Sequence, residues 1–235
     1  MEGPVLNPES KSFVGLYPVP VVHGMTIGEL AKLYREEENL PVKLTVVRME
    51  GWNRSMVWGD TDLRWIPTSP QIPTVESAFS YPGMGLIGET GIVSIGIGHT
   101  LPFQVAGAPW ISSHKLADEM NKKGLQGVIF RPFFFKPFFG KFEEKKCGGI
   151  QIHLIEPRKY MPLKTAMYLI EVIRELYPQK FSSSFTGKKR QSFDRYLGEK
   201  TSSELVKGGK VDTILKKWQK GIDEFKEKRK KYLIY

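Results

Sequence analysis

The residues able to do acid–base chemistry in this chain are its carboxylates and its four histidines. Glu2, Glu50, Asp60, Asp62 and Glu89 all lie in Gly-, Pro- or Trp-rich stretches, where a side chain can face a ligand. Glu36, Glu37 and Glu38 close a helical segment and read as a solvated face. Two carboxyls across a cleft with aromatic platforms suit glycoside chemistry, in which one protonates the leaving oxygen and the other attacks or activates water. Trp52, Trp58 and Trp65 could supply such platforms by stacking on sugar rings, or fill the space beneath a long loop. The histidines are at 23, 99, 114 and 153. No two share the i, i+4 spacing of a helical zinc pair and no acidic cluster joins them, so no metal site is expected. His114 sits in a first helical turn and His153 alternates with Gln151 and Ile155 on a strand. His23 and His99 border Gly-containing loops and are the better candidates.

Other chemistries find little support. The segment Gly83 to Gly98 holds six glycines but no phosphate-loop pattern. Gly96-Ile-Gly98 leads into His-Thr-Leu-Pro rather than a helix, unlike a dinucleotide-binding turn. Ser94 lacks the G-x-S-x-G frame of a hydrolase elbow. The single cysteine, Cys147, excludes an internal disulfide and any multi-cysteine metal site. No cofactor is expected.

These residues need elements to hold them. Residues 1–24 are rich in Pro and Gly and read as extended, with Tyr17 to His23 as an edge strand. Thr26 and Glu29 form a capping box for a helix that fades near Asn39. Val42 to Met49 is short and β-branched and reads as a strand. Gly51 to Thr74 is a long irregular stretch, a form often tied to function. Thr74 is expected to cap a short helix through Ser80, stopped by Pro82, with a glycine-rich loop after it. Ser113 caps a helix ending at Gly124, and Gly127–Phe135 and Gly148–Ile155 read as strands around the aromatic run Phe133 to Gly140. Pro162 opens an amphipathic helix that ends at Pro178. Phe181 to Arg190 reads as loop, Thr201 and Glu204 as a second capping box, and 212–235 as a helix docking through Leu215, Trp218, Ile222, Phe225 and Tyr232. Strands and helices mix without a regular βαβ rhythm, which points to an α+β domain, or an α/β-like mixed sheet packed with helices.

Composition bounds the class. The chain has 235 residues, 40% hydrophobic and 26% charged, as a globular protein does. No run approaches the ~20 apolar residues of a membrane helix, so no membrane span is expected. The N-terminal MEGPVLNPES lacks the basic-then-apolar pattern of a signal peptide. The net charge is +10, but from Lys188 to Tyr235 there are 15 Lys and Arg against 7 Asp and Glu, so the tail carries most of it. A basic terminal helix without a nucleic-acid motif ranks nucleic acid last among partners.

Several phrases together resemble a known family. They include Glu2-Gly-Pro-Val-Leu6, Phe13-Val-Gly15, Pro18 through Ala31, Gly51-Trp-Asn-Arg54, Asp60-Thr61 and Trp65 through Thr74. Tyr81-Pro-Gly83, Leu101 through Trp110, Phe130-Arg-Pro132, Cys147-Gly-Gly149 with Gln151 and His153, and Tyr232-Leu-Ile-Tyr235 follow in order. The chain is similar to the exo-β-N-acetylmuramidase (NamZ-like) family, formerly a domain of unknown function. The resemblance implies a peptidoglycan-recycling glycoside hydrolase that releases terminal N-acetylmuramic acid from the non-reducing end. It implies a Rossmann-like N-terminal domain ahead of the Glu-Gly-Pro motif, a smaller α/β domain after it, and an active-site cleft between them.

On that basis residues 1–235 are expected to be the C-terminal domain alone, incomplete as an enzyme and completed by a separately encoded Rossmann-like half. The partner is a peptidoglycan-derived sugar. Glu2 is the expected catalytic carboxylate, carried over by motif. Glu89 and His99 are expected to contact substrate from the glycine loop, with His23 nearby, Trp52 stacking on sugar and Arg54 binding an anion. Where many members carry Glu and Arg in the loop this chain has Ile95 and Ile97, which removes charge from a substrate-facing segment. The alternative is a non-catalytic module binding glycans or anionic cell-wall polymers.

Overall fold

A computed structural model describes all of residues 1–235. Two short strands, β1 (Glu2–Val5) and β2 (Pro20–Val22), pair antiparallel with Glu2 opposite Val22. Helix α1 (Ile27–Glu37) follows, and its capping box forms as the sequence requires: Thr26 Oγ1 accepts the Glu29 N–H and Glu29 accepts the Thr26 N–H. Residues 38–74 are irregular apart from a 3₁₀ turn at Trp58–Asp60. Val42–Met49 is extended but joins no sheet, contrary to the strand expected there. Strand residues need partners for their N–H and C=O groups, and this chain offers none at that place.

The larger body starts at α2 (Val75–Thr90), which runs far past the stop expected at Pro82. Proline removes one intrahelical bond, at a cost of about 3 kcal/mol. Burial of Met84, Leu86 and Ile87 on the continuing turns outweighs that cost. The first half of the expected glycine loop is therefore helix, and its glycines serve packing. At Gly83 a Cβ would sit 2.1 Å from the Pro162 carbonyl oxygen, so glycine is what lets α2 lie against α4 (Pro162–Leu176).

Strands β3 (Val105–Ala108), β4 (Val128–Phe135) and β5 (Cys147–Leu154) form an antiparallel sheet in the order β3-β5-β4. Helix α3 (Ser113–Lys122) covers it. Ser113 is the first helical residue rather than the cap. Its hydroxyl donates to the Phe133 carbonyl and accepts the Gly149 N–H, tying α3 to both neighbouring strands. Helix α4 is the hub, with ten buried residues set against α2, α3 and the later helices.

The polar stretch after Pro178 folds into α5 (Pro178–Ser184) and α6 (Gly187–Leu197), not a loop. Phe181, Phe185 and Phe193 explain the difference: their rings pack in series, tilted and then edge-on, at 5.5 and 5.2 Å, and all three are buried. Each contributes roughly 1.5–3 kcal/mol of burial, enough to override a local preference for loop. The Thr201–Glu204 capping box does not form; Glu204 pairs with Lys217 across from α7 (Ser202–Val206). Helix α8 (Val211–Arg229) docks as expected, with Trp218 and Ile222 in the main core. Its end, through Phe225 and then Tyr232, joins Met25 and Leu33 in a second small core under α1. The fold is a mixture of α and β layers with eight helices and small antiparallel sheets. No helix is long and apolar enough to cross a membrane.

Candidate active site

Glu2 is buried, 6% exposed, and reaches the N-terminus of α4. Its Oε2 accepts the Lys164 N–H at 2.9 Å, one of the first-turn donors that no intrahelical carbonyl can satisfy. Burial pushes its carboxyl up, the amides of Lys164 and Leu163 and the nearby positive charges pull it down, and the balance lies at about 7. Glu2, Lys164, Asp212, Trp218 and Gln219 line a cavity of about 210 Å³. Asp212 is held there by the Tyr168 hydroxyl, which donates to Oδ1. A carboxyl titrating near neutrality beside a second carboxyl is able to give and take a proton.

His23 directly follows β2, whose last residue, Val22, pairs with Glu2. Its Nδ1 accepts the Met25 N–H at 3.1 Å, which leaves Nε2 as the donor. Burial and then Arg229 lower its pKa, so the ring is neutral around pH 7. Together with Tyr17, Tyr34, Tyr81, Arg195 and Tyr196 it lines a groove of about 600 Å³ between β2, α2 and α6. Sequence reasoning missed Tyr81, Arg195 and Tyr196. Arg195 and Tyr196 lay in a segment given no element, and Tyr81 was read as the end of a helix that in fact continues.

Trp52 and Arg54 come together, but they face the protein. The Arg54 guanidinium donates to Glu29 Oε1 at 2.5 Å and to the Gly24 carbonyl at 2.7 Å. Its charge is thereby paired with a fully buried carboxylate, whereas the anion-binding role expected for it needs a free guanidinium. The Trp52 ring meets Tyr235 edge-on at 4.9 Å, half-buried against the C-terminus rather than open as a platform.

Glu89 lies in the last turn of α2, half-buried. His99 follows in a turn built on Gly98, whose φ of +80° and 2.1 Å approach to the Phe139 carbonyl admit no side chain. His99 Nδ1 accepts the Leu101 N–H at 3.2 Å, and its ring sits edge-on to Phe133 and Phe135 at 5.9 and 5.5 Å. Burial lowers its pKa. Ile95 and Ile97 pack against the main core, so their side chains do not occupy a charged, ligand-facing loop. The structure thus puts Glu2 and His23 on or next to paired strands but in different cavities, pairs Trp52 with Arg54 around the C-terminus, and leaves Glu89 and His99 on the α2 side. No three His, Cys, Asp or Glu side chains converge on a metal-sized site.

The comparisons with known proteins agree with this architecture. The model described as the N-terminal part of exo-beta-N-acetylmuramidase NamZ matches residues 1–76, and the model of its C-terminal part matches 79–235. The peptidoglycan beta-N-acetylmuramidase NamZ of Bacillus subtilis strain 168 is 44% identical over 236 residues, covering all of this chain and 56% of that protein. Two solved DUF1343 family proteins of Bacteroides fragilis NCTC 9343 superimpose with TM-scores of 0.94 and 0.72 at 37% and 28% identity. Each covers all of this chain, which spans 62% of each of them. The match to the N-terminal model corrects the expectation that only the C-terminal part is present: the strands bearing Glu2 and His23, helix α1 and the Trp52–Arg54 segment all fall in the N-terminal match. The chain belongs to the exo-β-N-acetylmuramidase NamZ family and contains sequence from both its N-terminal and its C-terminal parts.

Proposed function

We propose that this chain is part of a glycoside hydrolase that removes N-acetylmuramic acid from the non-reducing end of peptidoglycan fragments, with Glu2 as its acid–base carboxyl. The observation that carries the reading is the buried Glu2 carboxyl, poised at about 7 and bordering a cavity with Asp212. In the protonated state it donates to the glycosidic oxygen as the C–O bond breaks, and a water then adds to the sugar carbon, its proton passing to the Glu2 carboxylate and restoring the acid. His23 and the tyrosines of the adjoining groove hold the sugar by hydrogen bonds and stacking, and Glu89 and His99 reach it from the α2 side. The chain spans about half the length of its curated relative, so the proposal includes that it is inactive alone. The portion of the relatives that lies outside the match completes the cleft.

The test is release of chromophore from a β-N-acetylmuraminide, with the chain alone and mixed with the part of the Bacillus subtilis relative that lies outside the match. Turnover only in the mixture supports the reading. A second reading, a non-catalytic module for glycans or anionic cell-wall polymers, draws on the packing of Ile95 and Ile97 against the core. It predicts heat of glycan binding by calorimetry with no turnover in either sample.

A further inference from the structure

The segment 43–48 belongs to no helix or sheet and makes no backbone–backbone hydrogen bond, and its burial alternates, with Leu44 and Val46 half-buried and Thr45 and Val47 exposed. Its composition is that of a strand: Leu44, Thr45, Val46 and Val47 between Lys43 and Arg48. It is not loose. Leu44 and Val46 are half-buried and, with Lys32 and Arg35 of α1, line a shallow cavity. The Arg48 guanidinium donates to the Ile234 carbonyl, and the Met49 N–H donates to the Tyr235 hydroxyl at 2.6 Å. The chain therefore anchors the segment and alternates its side chains with the period of a strand, while leaving its N–H and C=O groups without backbone partners. Val47 is 89% exposed. A long, flat edge of this kind templates pairing with another strand unless charges or bulges blunt it.

The surrounding surface points the same way. Ten of the eighteen exposed large apolar side chains fall within residues 1–76, about a third of the chain, among them Phe13, Ile27, Leu63 and Ile66. This third is the part that matches the N-terminal family model, while relatives extend well beyond the match. We propose that residues 43–48 are a β-strand donated to the sheet of the remaining N-terminal portion, which pairs along this edge and covers the exposed apolar side chains. The proposal rests on the half-enzyme reading above and adds the place and chemistry of the joint: backbone ladder bonds from 43–48, with side-chain pockets at alternate positions.

The test is amide hydrogen exchange of this chain, alone and mixed with the unmatched part of the Bacillus subtilis relative, alongside the intact relative. The expected result is fast exchange at 43–48 in the chain alone and protection of at least tenfold in the mixture, with the aligned amides protected in the intact relative. Thr45→Pro and Val47→Lys alter exposed positions. They should weaken association at least tenfold while leaving the melting temperature of the chain alone unchanged. Association without protection at 43–48 overturns the donated strand but leaves the half-enzyme standing. Fast exchange of the aligned amides in the intact relative overturns it whether or not the fragment folds. Concentration-dependent protection in the chain alone assigns the edge to a second copy and also overturns it. Strand protection in the mixture without turnover would retain this joint and sink the enzymatic reading instead.

Discussion

The Glu29 carboxylate is completely buried and meets the Arg54 guanidinium at 2.5 Å, joining the start of α1 to the long irregular segment 25 residues later. The same carboxylate accepts the Thr26 and Ile234 N–H groups, each at 2.8 Å, so one side chain ties a helix cap, a loop and the C-terminus. Burial would push its pKa up, but the two amides and Arg54 outweigh burial and hold it below the usual carboxylate range.

Removing the cation leaves a buried charge with only neutral donors. Arg54→Ala should therefore lower stability by about 2–4 kcal/mol in urea unfolding, and Arg54→Lys should recover part of the loss. An anion-binding Arg54 behaves differently: its alanine variant would keep its unfolding midpoint and lose affinity for acidic sugars. Stability unchanged to within about 0.5 kcal/mol would return Arg54 to that role.

Two glycines of α2 should respond in opposite ways. A Cβ at Gly83 meets backbone, the Pro162 carbonyl oxygen at 2.1 Å, and backbone cannot yield without parting α2 from α4. A Cβ at Gly88 meets only the far end of the Ile95 side chain at 2.8 Å. Gly83→Ala should cost about 2 kcal/mol or more. Gly88→Ala gains about 1 kcal/mol of helix propensity against a small rotamer shift and should be near neutral. Thermal melts of the two variants check both, and equal losses would refute the close approach of α2 to α4.

These glycines also show what the sequence could and could not disclose. The capping box at Thr26 and Glu29, the stripes of α4 and α8, and the strands around the aromatic loop were legible because local chemistry and final structure agree there. Helix α2 was not, because Pro82 and three glycines argue locally for a break, and only the nearness of Pro162 and Tyr196, 80 and more residues away, rewards a continuous helix. Helices α5 and α6 failed for the same reason, their three phenylalanines being scattered in a polar stretch. Glu2 and His23 were singled out by motif and by their loop setting, and each lines a cavity. Tyr81 and Tyr196 line a groove that exists only once α2 and α6 are placed. The strand expected at 42–49 did not form: its β-branched composition is local, whereas pairing is a property of two segments, and no neighbour in the fold bonds to it.

The Glu2 carboxyl makes stability depend on pH in a defined direction. Its pKa is about 7 when folded against an ordinary 4.5, so the folded state holds the proton more tightly than the unfolded state. Its contribution is fully present below about pH 4.5 and is lost as pH rises through 7. Glu2→Gln removes this dependence. The wild type should therefore lose ground to Glu2→Gln between pH 4.5 and 7, by roughly 3 kcal/mol at most, and hold a constant difference above. Unfolding curves of both proteins at four pH values test this. A wild-type advantage that grows with pH would mean that α4 holds Glu2 as the anion, and the acid role would lose its basis.

Activity in the completed enzyme separates chemistry from anchoring at the same residue. Glutamine keeps an oxygen to accept the Lys164 N–H, so Glu2→Gln should fold and still bind sugar. It has no proton to give, so kcat should fall about 10²–10⁴-fold with KM little changed. The wild type should lose activity above pH 7 as Glu2 ionises, a limb the variant's residual rate should not follow. Substrates with a very acidic leaving group need little protonation, so the loss in Glu2→Gln should shrink with them, a signature that no structural role of Glu2 would produce. A kcat within threefold of wild type across leaving groups would leave Glu2 as the anchor of α4 alone and move the search for the acid to Asp212, the other carboxyl of its cavity.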